Sequence, residues 1–407
     1  GAARMVGVNA GGAAALTNVG AGEDLLVRAG AAGAAITNVT AGDDLVIRSV
    51  GNITANGASA NGTGADNMIL DFTANGFTIG QGEGVSAVNG ADIVMTSSGG
   101  SIQASDLSAG DDIVLTAATT LAVDGAQTLG LGTTGGDSSI RTQSGNATLS
   151  ELVAFDDIIV GSSGTVNVTT ATLFAGRDVT INAATVNVAT LTNPSGNLID
   201  SIDADRNLAI TTSGGIATGS LRAGGNMTLT AGTTVNVRNA LTGADGTLTL
   251  DGRTGVTGET IQSGGTTSLT SDAGAVTIAD LRSAGPITAS ADSIQIIGGG
   301  DENLSFSQIE TDAGNAFVSS SGDLSITNGQ IAGQAVIGRA GVLPGGVALN
   351  LGQGVGIIVE LDRLNLAVRH RDRAFDGGAA DRDAADGVQT RLVADLLHGR
   401  TVRLQVG

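Results

Sequence analysis

The sequence has no cysteine, tryptophan, tyrosine or lysine, and it has only two histidines. Without cysteine the chain can form no disulfide framework, no thiolate metal site and no thiol nucleophile. Without tryptophan and tyrosine it lacks the large amphipathic rings on which sugars often stack. His370 and His398 are far apart and lack the spacing of metal ligands, so we interpret them as surface residues. These absences argue against an enzyme, and we predict no catalytic residue.

Basic charge and long apolar runs are also scarce. All 19 basic residues are arginine, against 39 acidic residues, which gives a net charge of −20. Such an acidic surface repels phosphate backbones, so we predict no nucleic-acid partner. No run of about 20 apolar residues occurs, so we predict that the chain does not span a membrane. The opening residues lack the apolar core of a signal peptide, and we expect a mature or internal segment of a longer precursor.

Glycine and small aliphatic residues make up much of the chain instead. Glycine contributes 65 residues, and 41% of the sequence is hydrophobic. The apolar residues are mainly valine, isoleucine, leucine and alanine in short, evenly spread clusters. A disordered chain typically contains a smaller share of such residues. The composition therefore predicts many short strands with a thin core.

An internal repeat organises the sequence. Residues 12–31 and 32–51 align without gaps and are identical at ten of twenty positions. The core of the repeat is a small-residue turn with Asp or Asn, followed by a strand with apolar residues at every second position. That period of two is typical of half-buried strands. Looser copies begin near residues 109, 154, 175, 204, 223, 245, 264 and 321.

A repeat of about 20 residues with short strands predicts an all-β fold, a parallel β-helix or β-solenoid, over residues 1–359. One coil cannot bury its own inward side chains, so stability comes from stacking on its neighbours. We expect the inward aliphatic residues of the repeat to form the structural core. The residues predicted for it are Leu25, Val27, Leu45, Ile47, Ile113, Leu115, Val179, Ile181, Leu208, Ile210, Met227 and Leu229.

The copies AGDDLVIRS at 41–49, AGDDIVLTA at 109–117 and AGRDVTINA at 175–183 resemble the degenerate repeats of filamentous haemagglutinin-like exoproteins. These are the large secreted partners of two-partner secretion. The resemblance covers about residues 10–350. It implies a right-handed parallel β-helix that is extracellular or on the cell surface of a Gram-negative bacterium. The implied partner is a receptor on a host or neighbouring cell, or the protein itself.

Residues 360–407 differ from the rest, because 8 arginines balance 8 acidic residues there. We predict a charged, short mixed C-terminal cap, or alternatively an assembly or junction segment. Residues 388–399 read as an amphipathic helix that ends at Gly399, and residues 401–407 read as a last strand. Under the assembly alternative the chain forms a homo-oligomer. The candidate contacts are then Arg369, Arg371 and Arg373.

Acidic pairs recur at the turns of the repeat, and two interpretations apply to them. Stacked carboxylates can bind Ca²⁺, whereas turn aspartates commonly accept hydrogen bonds from backbone amides, which is the interpretation we favour. A second calcium candidate is the loop with Asp381, Asp383 and Asp386, although its spacing is not that of an EF-hand. We predict no other cofactor. The pairs are Glu23-Asp24, Asp43-Asp44, Asp111-Asp112 and Asp156-Asp157.

The resemblance and the repeat favour an extracellular structural or adhesive surface protein, acting as a stalk, an adhesin or a matrix fibre. One alternative is a self-assembling subunit of an extracellular filament or surface layer. Another is a glycan-active β-helix enzyme. Alternating threonines, as at residues 165–173, also suit an ice-ordering surface, although threonine is a common outward strand residue.

Overall fold

The computed structural model describes residues 5–60, 70–73, 76–79, 91–130, 136–170 and 172–296, together with separate strands between residues 307 and 404. Within these ranges, side chains are described up to residue 295, except at residues 70–73 and 76–79. In these residues all regular secondary structure is β-strand, and strands of successive coils pair in parallel. The predicted all-β parallel solenoid is therefore confirmed. The chain divides into two units, Gly1–Thr212 (unit 1) and Ser213–Gly407 (unit 2).

Unit 1 alternates short strands of about five residues with longer strands of about eight. Among its described residues, antiparallel pairing is confined to two short pairs, β7 with β8 and β21 with β22, counting from the N-terminus. The strands are β1 (Val6–Asn9), β2 (Ala14–Thr17), β3 (Leu25–Ala29), β4 (Ala34–Ala41), β5 (Leu45–Ser49), β6 (Ile53–Ala60), β7 (Leu70–Thr73), β8 (Gly76–Ile79), β9 (Ile93–Ser97), β10 (Ile102–Ala109), β11 (Ile113–Ala117), β12 (Leu121–Thr128), β13 (Ser138–Thr142), β14 (Ala147–Leu149), β15 (Leu152–Ala154), β16 (Ile158–Ser162), β17 (Thr165–Val168), β18 (Leu173–Ala175), β19 (Val179–Ala183), β20 (Thr185–Val188), β21 (Leu191–Thr192), β22 (Leu198–Ala204) and β23 (Leu208–Thr212).

The short strands of successive coils stack so that similar residues lie beside each other. β3 pairs with β5 so that Leu25 lies beside Leu45 and Val27 beside Ile47. Alternate residues of these strands are buried, and the residues between them point outward. Each coil therefore adds one layer, about 4.8 Å thick, to continuous aliphatic columns. All twelve residues predicted for the core are at most 1% exposed.

The long strands bend at one position, where the backbone has a positive φ. Asn18, Asn38, Gly57, Asp106 and Gly125 have φ of 54°, 51°, 67°, 54° and 80°. Asn, Asp and Gly enter this left-handed region at the lowest cost, which explains why these residue types occur here. The registers place the five residues in one column, so these five coils turn at the same point.

Unit 2 continues the alternation with longer second strands. β25 pairs with β27 and β26 with β28, again in parallel. The strands are β24 (Ile216–Ala223), β25 (Met227–Ala231), β26 (Thr234–Ala244), β27 (Leu248–Gly252), β28 (Gly255–Gly264), β29 (Thr267–Thr270), β30 (Ala275–Ser283), β31 (Ile287–Ala291), β32 (Ser293–Ile296), β33 (Ser307–Ser320), β34 (Leu324–Arg339), β35 (Val347–Leu351), β36 (Ile357–Leu361), β37 (Leu366–His370) and β38 (Arg403–Leu404).

Parallel pairing extends beyond residue 359, the predicted end of the solenoid. β34 pairs with β36, and β35 pairs with β37, both in parallel. β38 runs antiparallel to β36 and occupies part of the predicted last strand. Arg369 and His370 lie in β37. The other residues predicted for this region lie outside the described residues: Arg371, Arg373, Asp381, Asp383, Asp386, the helix at 388–399 and His398.

Candidate functional site

A column of aspartates runs through unit 1 at the turn before each short strand. The repeat places one Asp directly before the strand in successive coils, and the parallel register stacks these residues. We call this column the aspartate ladder. Its members are Asp24, Asp44, Asp92, Asp112, Asp137, Asp157 and Asp178.

Each rung of the ladder is hydrogen-bonded to the next. The Asp92 N–H donates to Oδ1 of Asp44, and the Asp112 N–H donates to Oδ1 of Asp92, both at 3.1 Å. The Asp137 N–H donates to Oδ1 of Asp112 at 2.8 Å. The Asp44 N–H donates to Oδ1 of Asp24 at 3.4 Å. At the other end, the Asp157 N–H donates to Oδ1 of Asp137 and the Asp178 N–H donates to Oδ1 of Asp157, both at 3.0 Å. The carboxylates therefore satisfy turn amides that the strand ladders leave unpaired.

The second aspartate of each acidic pair accepts a hydrogen bond from a turn amide, which is the interpretation favoured above, but the bond joins two coils and not two residues of one turn. The sequence indicates which position carries the aspartate, because the position repeats. It does not indicate the partner, because the partner is set by how one coil stacks on the next. An aspartate that recurs about every 20 residues, directly before the strand of each repeat, is the sequence signal that would identify the ladder.

Burial and like charge act together on the inner rungs. Burial, opposed in part by the hydrogen bond from the next coil, raises the pKa of Asp44 to about 7, and Asp43 and Asp24 add to the effect. Burial likewise raises the pKa of Asp92 to about 8, with further contributions from neighbouring carboxylates. Such shifts arise because a low-dielectric site disfavours the charged form.

A second row of side chains lies one residue before the ladder. Asp111 in this row is fully buried, and neither carboxylate oxygen has a hydrogen-bond partner among the described residues. Burial, followed by the charges of Asp112, Asp137 and Asp156, raises its pKa to about 6. An unpartnered buried carboxylate is costly when ionised.

Arginines occupy the second row at the other end of the ladder. Arg177 donates from Nη1 to Oδ2 of Asp156 at 2.9 Å and from Nη2 to Oδ2 of Asp157 at 3.3 Å. Arg206 donates from Nε to Oδ1 of Asp178 at 2.8 Å and makes a second bond to Oδ2. Hydrogen bonding to Arg206 lowers the pKa of the Asp178 carboxyl. The ladder therefore has one end compensated by arginine and one stretch in which carboxylates face carboxylates.

The ladder does not form a metal cage. In the part of the chain that the structure describes, no three His, Asp or Glu side chains converge on a point that would hold a metal ion. The reason is geometric: Oδ1 of a rung is engaged by the neighbouring coil, so the carboxylates lie in a line and do not surround a centre. Calcium needs six to eight oxygen ligands around one point.

A polar groove of about 490 Å³ lies on the outer side of the long strands of unit 1. Asn56, Ser105 and Asp124 stack in register along it, each directly before a left-handed residue of the bend. Ser150 and Thr170 extend it over the following coils. Its lining offers hydroxyl, amide and carboxylate groups, without aromatic or basic side chains. The sequence does not predict this groove, because it depends on the bend.

Comparison with protein-family models, with curated proteins and with solved structures finds no match to this chain. Among the described residues, no helix has the length and apolar character needed to cross a bilayer. The fold and the two sites of unit 1 are therefore the basis for an account of function.

Proposed function

We propose that the protein is an extracellular structural and adhesive surface protein, of the kind that filamentous haemagglutinin-like repeats imply. The observation that supports this is the in-register stacking of coils in each unit. Within each unit, parallel hydrogen bonding joins neighbouring described coils, and most of the buried side chains are aliphatic. Such a scaffold offers rows of repeated outward side chains on a rigid backbone. Work done by a repeated surface suits a stalk or an adhesin.

The polar groove is the surface that we propose for adhesion. Successive coils present hydrogen-bonding side chains about 4.8 Å apart, which suits a linear ligand with repeated hydroxyl groups. Asn56 offers both donors and an acceptor, and Ser105 offers a hydroxyl, so both polarities are available. The ligand class is a glycan of a neighbouring cell surface.

Binding is favoured over glycan cleavage by the composition of the groove. Within the lining that the structure describes, the one carboxylate is Asp124. Glycoside hydrolysis generally uses two carboxyl groups on opposite sides of the scissile bond. The groove is therefore proposed as a binding surface.

A glycan array probed with the labelled full chain tests the groove. We expect the variant Asn56→Ala/Asp124→Ala to lose binding at least tenfold, because hydrogen-bonding groups are removed from two coils. The control is Thr211→Ala, an exposed outward residue of β23 outside the groove. Equal binding by all three proteins, or binding by none, contradicts this surface.

Electron microscopy of the native material, at the cell surface and after release, tests the structural role. Single chains tethered to cells support a stalk or adhesin. Filaments or sheets with a fixed subunit repeat support the self-assembly alternative instead, and Arg369, Arg371 and Arg373 then become the first residues to replace.

A further inference from the structure

We propose that the aspartate ladder and the neighbouring Asp111 form a proton-binding switch, which stabilises unit 1 in acid and destabilises it as the pH rises. The switch does not depend on the proposed function, because it concerns the stability of the fold itself. Three features support it: the ladder geometry, the burial of Asp111 and the placement of the arginines.

The geometry prevents the carboxylates from separating. Stacked coils are about 4.8 Å apart, which is within the range where like charges oppose ionisation. Oδ1 of Asp44, Asp92 and Asp112 is held by an amide of the next coil, so these side chains cannot rotate away without losing that bond. A bound proton relieves the repulsion and leaves the bond in place.

Among the described residues, the charges that shift the pKa of the inner acids are those of carboxylates. Asp44 faces Asp24 and Asp43. The neighbours of the other three inner acids are also aspartates. They are Asp44, Asp111 and Asp112 for Asp92; Asp112, Asp137 and Asp156 for Asp111; and Asp137 and Asp156 for Asp112.

Asp111 supplies a second and independent observation. Both of its oxygens are buried and lack a partner in the described structure, although it lies beside three other carboxylates. A neutral carboxylic acid is less costly to bury at this position than an ionised one, because the neutral form gives up less hydration. An ionised one is left without a donor.

The arginine end shows the contrasting case. Asp137 faces Asp156, Asp157 and Arg177, and burial still raises its pKa. At Asp178, two hydrogen bonds from Arg206 lower the pKa. Where arginine bonds directly to a rung, the arginine balances the charge. Where carboxylates face carboxylates, the proton takes that role.

The direction of the pH effect follows from linkage. Folding raises the pKa of Asp44 from 3.8 to about 7 and that of Asp92 from 3.8 to about 8. Between about pH 4 and pH 8 the folded state therefore binds more protons than the unfolded state. Stability is fully present below the unfolded pKa and is lost as the pH rises through the folded pKa. For each extra proton that the folded state binds, a rise of one pH unit increases the equilibrium constant for unfolding about tenfold.

The chain itself contains the uncharged form of a rung. In unit 2, Asn226 occupies the corresponding turn, and its Oδ1 accepts the Thr247 N–H at 2.9 Å. Asparagine thus keeps the bond between coils without a charge. Replacing aspartate by asparagine in the ladder is accordingly expected to preserve the fold.

Thermal unfolding of the full chain, followed by circular dichroism from about pH 5 to about pH 9, tests the switch. We expect the wild-type midpoint to fall as the pH rises. Asp92→Asn and Asp92→Asn/Asp111→Asn should melt higher than wild type at alkaline pH and show a flatter pH profile. Asp124→Asn, at an exposed position of unit 1 outside the ladder, should keep the wild-type slope.

Infrared spectroscopy provides the direct readout. The wild type should retain a protonated carboxylic acid band near neutral pH, and this band should shrink in Asp92→Asn. A wild-type midpoint that is constant or rises with pH overturns the proposal, as does an Asp92→Asn variant that is less stable at every pH. Added Ca²⁺ that raises the midpoint at alkaline pH, reversed by EDTA, would make the ladder a cation site and overturn it as well.

Discussion

At the scale of the residue, the fold depends on small differences in side-chain size and charge at repeated positions. Ile113 is fully buried in β11, between Ile93 of one neighbouring coil and Ser138 of the other. Gly42 is a turn residue at which the neighbouring coil comes close. Each position tests a different aspect of the stacking.

Ile113→Asp should destabilise unit 1 by about 3–5 kcal/mol, because the new carboxylate is buried among aliphatic side chains without a partner. Ile113→Val is the matched control and should cost about 1 kcal/mol. Chemical denaturation followed by circular dichroism measures both. A midpoint of Ile113→Asp equal to that of the wild type contradicts the inward register of β11.

Gly42→Ala should destabilise the chain by about 1–3 kcal/mol. A Cβ at residue 42 would lie 2.2 Å from the carbonyl oxygen of Gly22 in the neighbouring coil, so the turn has to shift. Gly161→Ala is the control, because the nearest atom to its Cβ, Cγ of Arg141, is 3.8 Å away. The two variants are compared by thermal melting, and equal midpoints rule out the close approach.

At the scale of the element, the left-handed bend in β6, β10 and β12 decides where the polar groove lies. In these strands the residue before the bend, which is Asn56, Ser105 or Asp124, lines the groove. In β4 the bend residue is Asn38, whose Nδ2 donates to Oδ1 of Asn18 at 3.2 Å. Backbone conformation and side-chain bonding act together here.

Asn38→Ala should cost about 1–2 kcal/mol, because alanine is disfavoured at a φ of 51°. Asn38→Gly should cost less, since glycine accepts this conformation and the structure already uses Gly57 at the same position of the next coil. Urea denaturation distinguishes the two variants. Equal losses would assign the effect to the side-chain bond with Asn18.

The sequence predicts the short strands well, because period-two apolar residues such as Leu45 and Ile47 follow a marked turn. It predicts the bend poorly. Asn18 and Asn38 are identical in the first two copies, but Gly57 and Asp106 take their place later, so the column is recognised only from the backbone. The ladder bonds and the groove join residues of different coils, and both depend on a register that is fixed by stacking.

At the scale of the whole molecule, the two units differ in the residue types that occupy the turn before each short strand. Unit 1 places an aspartate before most of its short strands, whereas unit 2 uses Asn226, Thr247, Thr266 and Pro286. In repeat proteins, stability is roughly a sum over coils and their interfaces. The pH dependence proposed for the ladder therefore belongs to unit 1, and unit 2 provides an internal reference within one chain.

The gapless match between residues 12–31 and 32–51 has a consequence for inheritance. The two copies stack without a gap and present similar residues to their neighbours. Loss or duplication of one such copy by recombination would join matching ends, so the aliphatic columns and the turn bonds would close again. A change in the number of coils would therefore come in steps of about 20 residues and would keep the aliphatic columns in register.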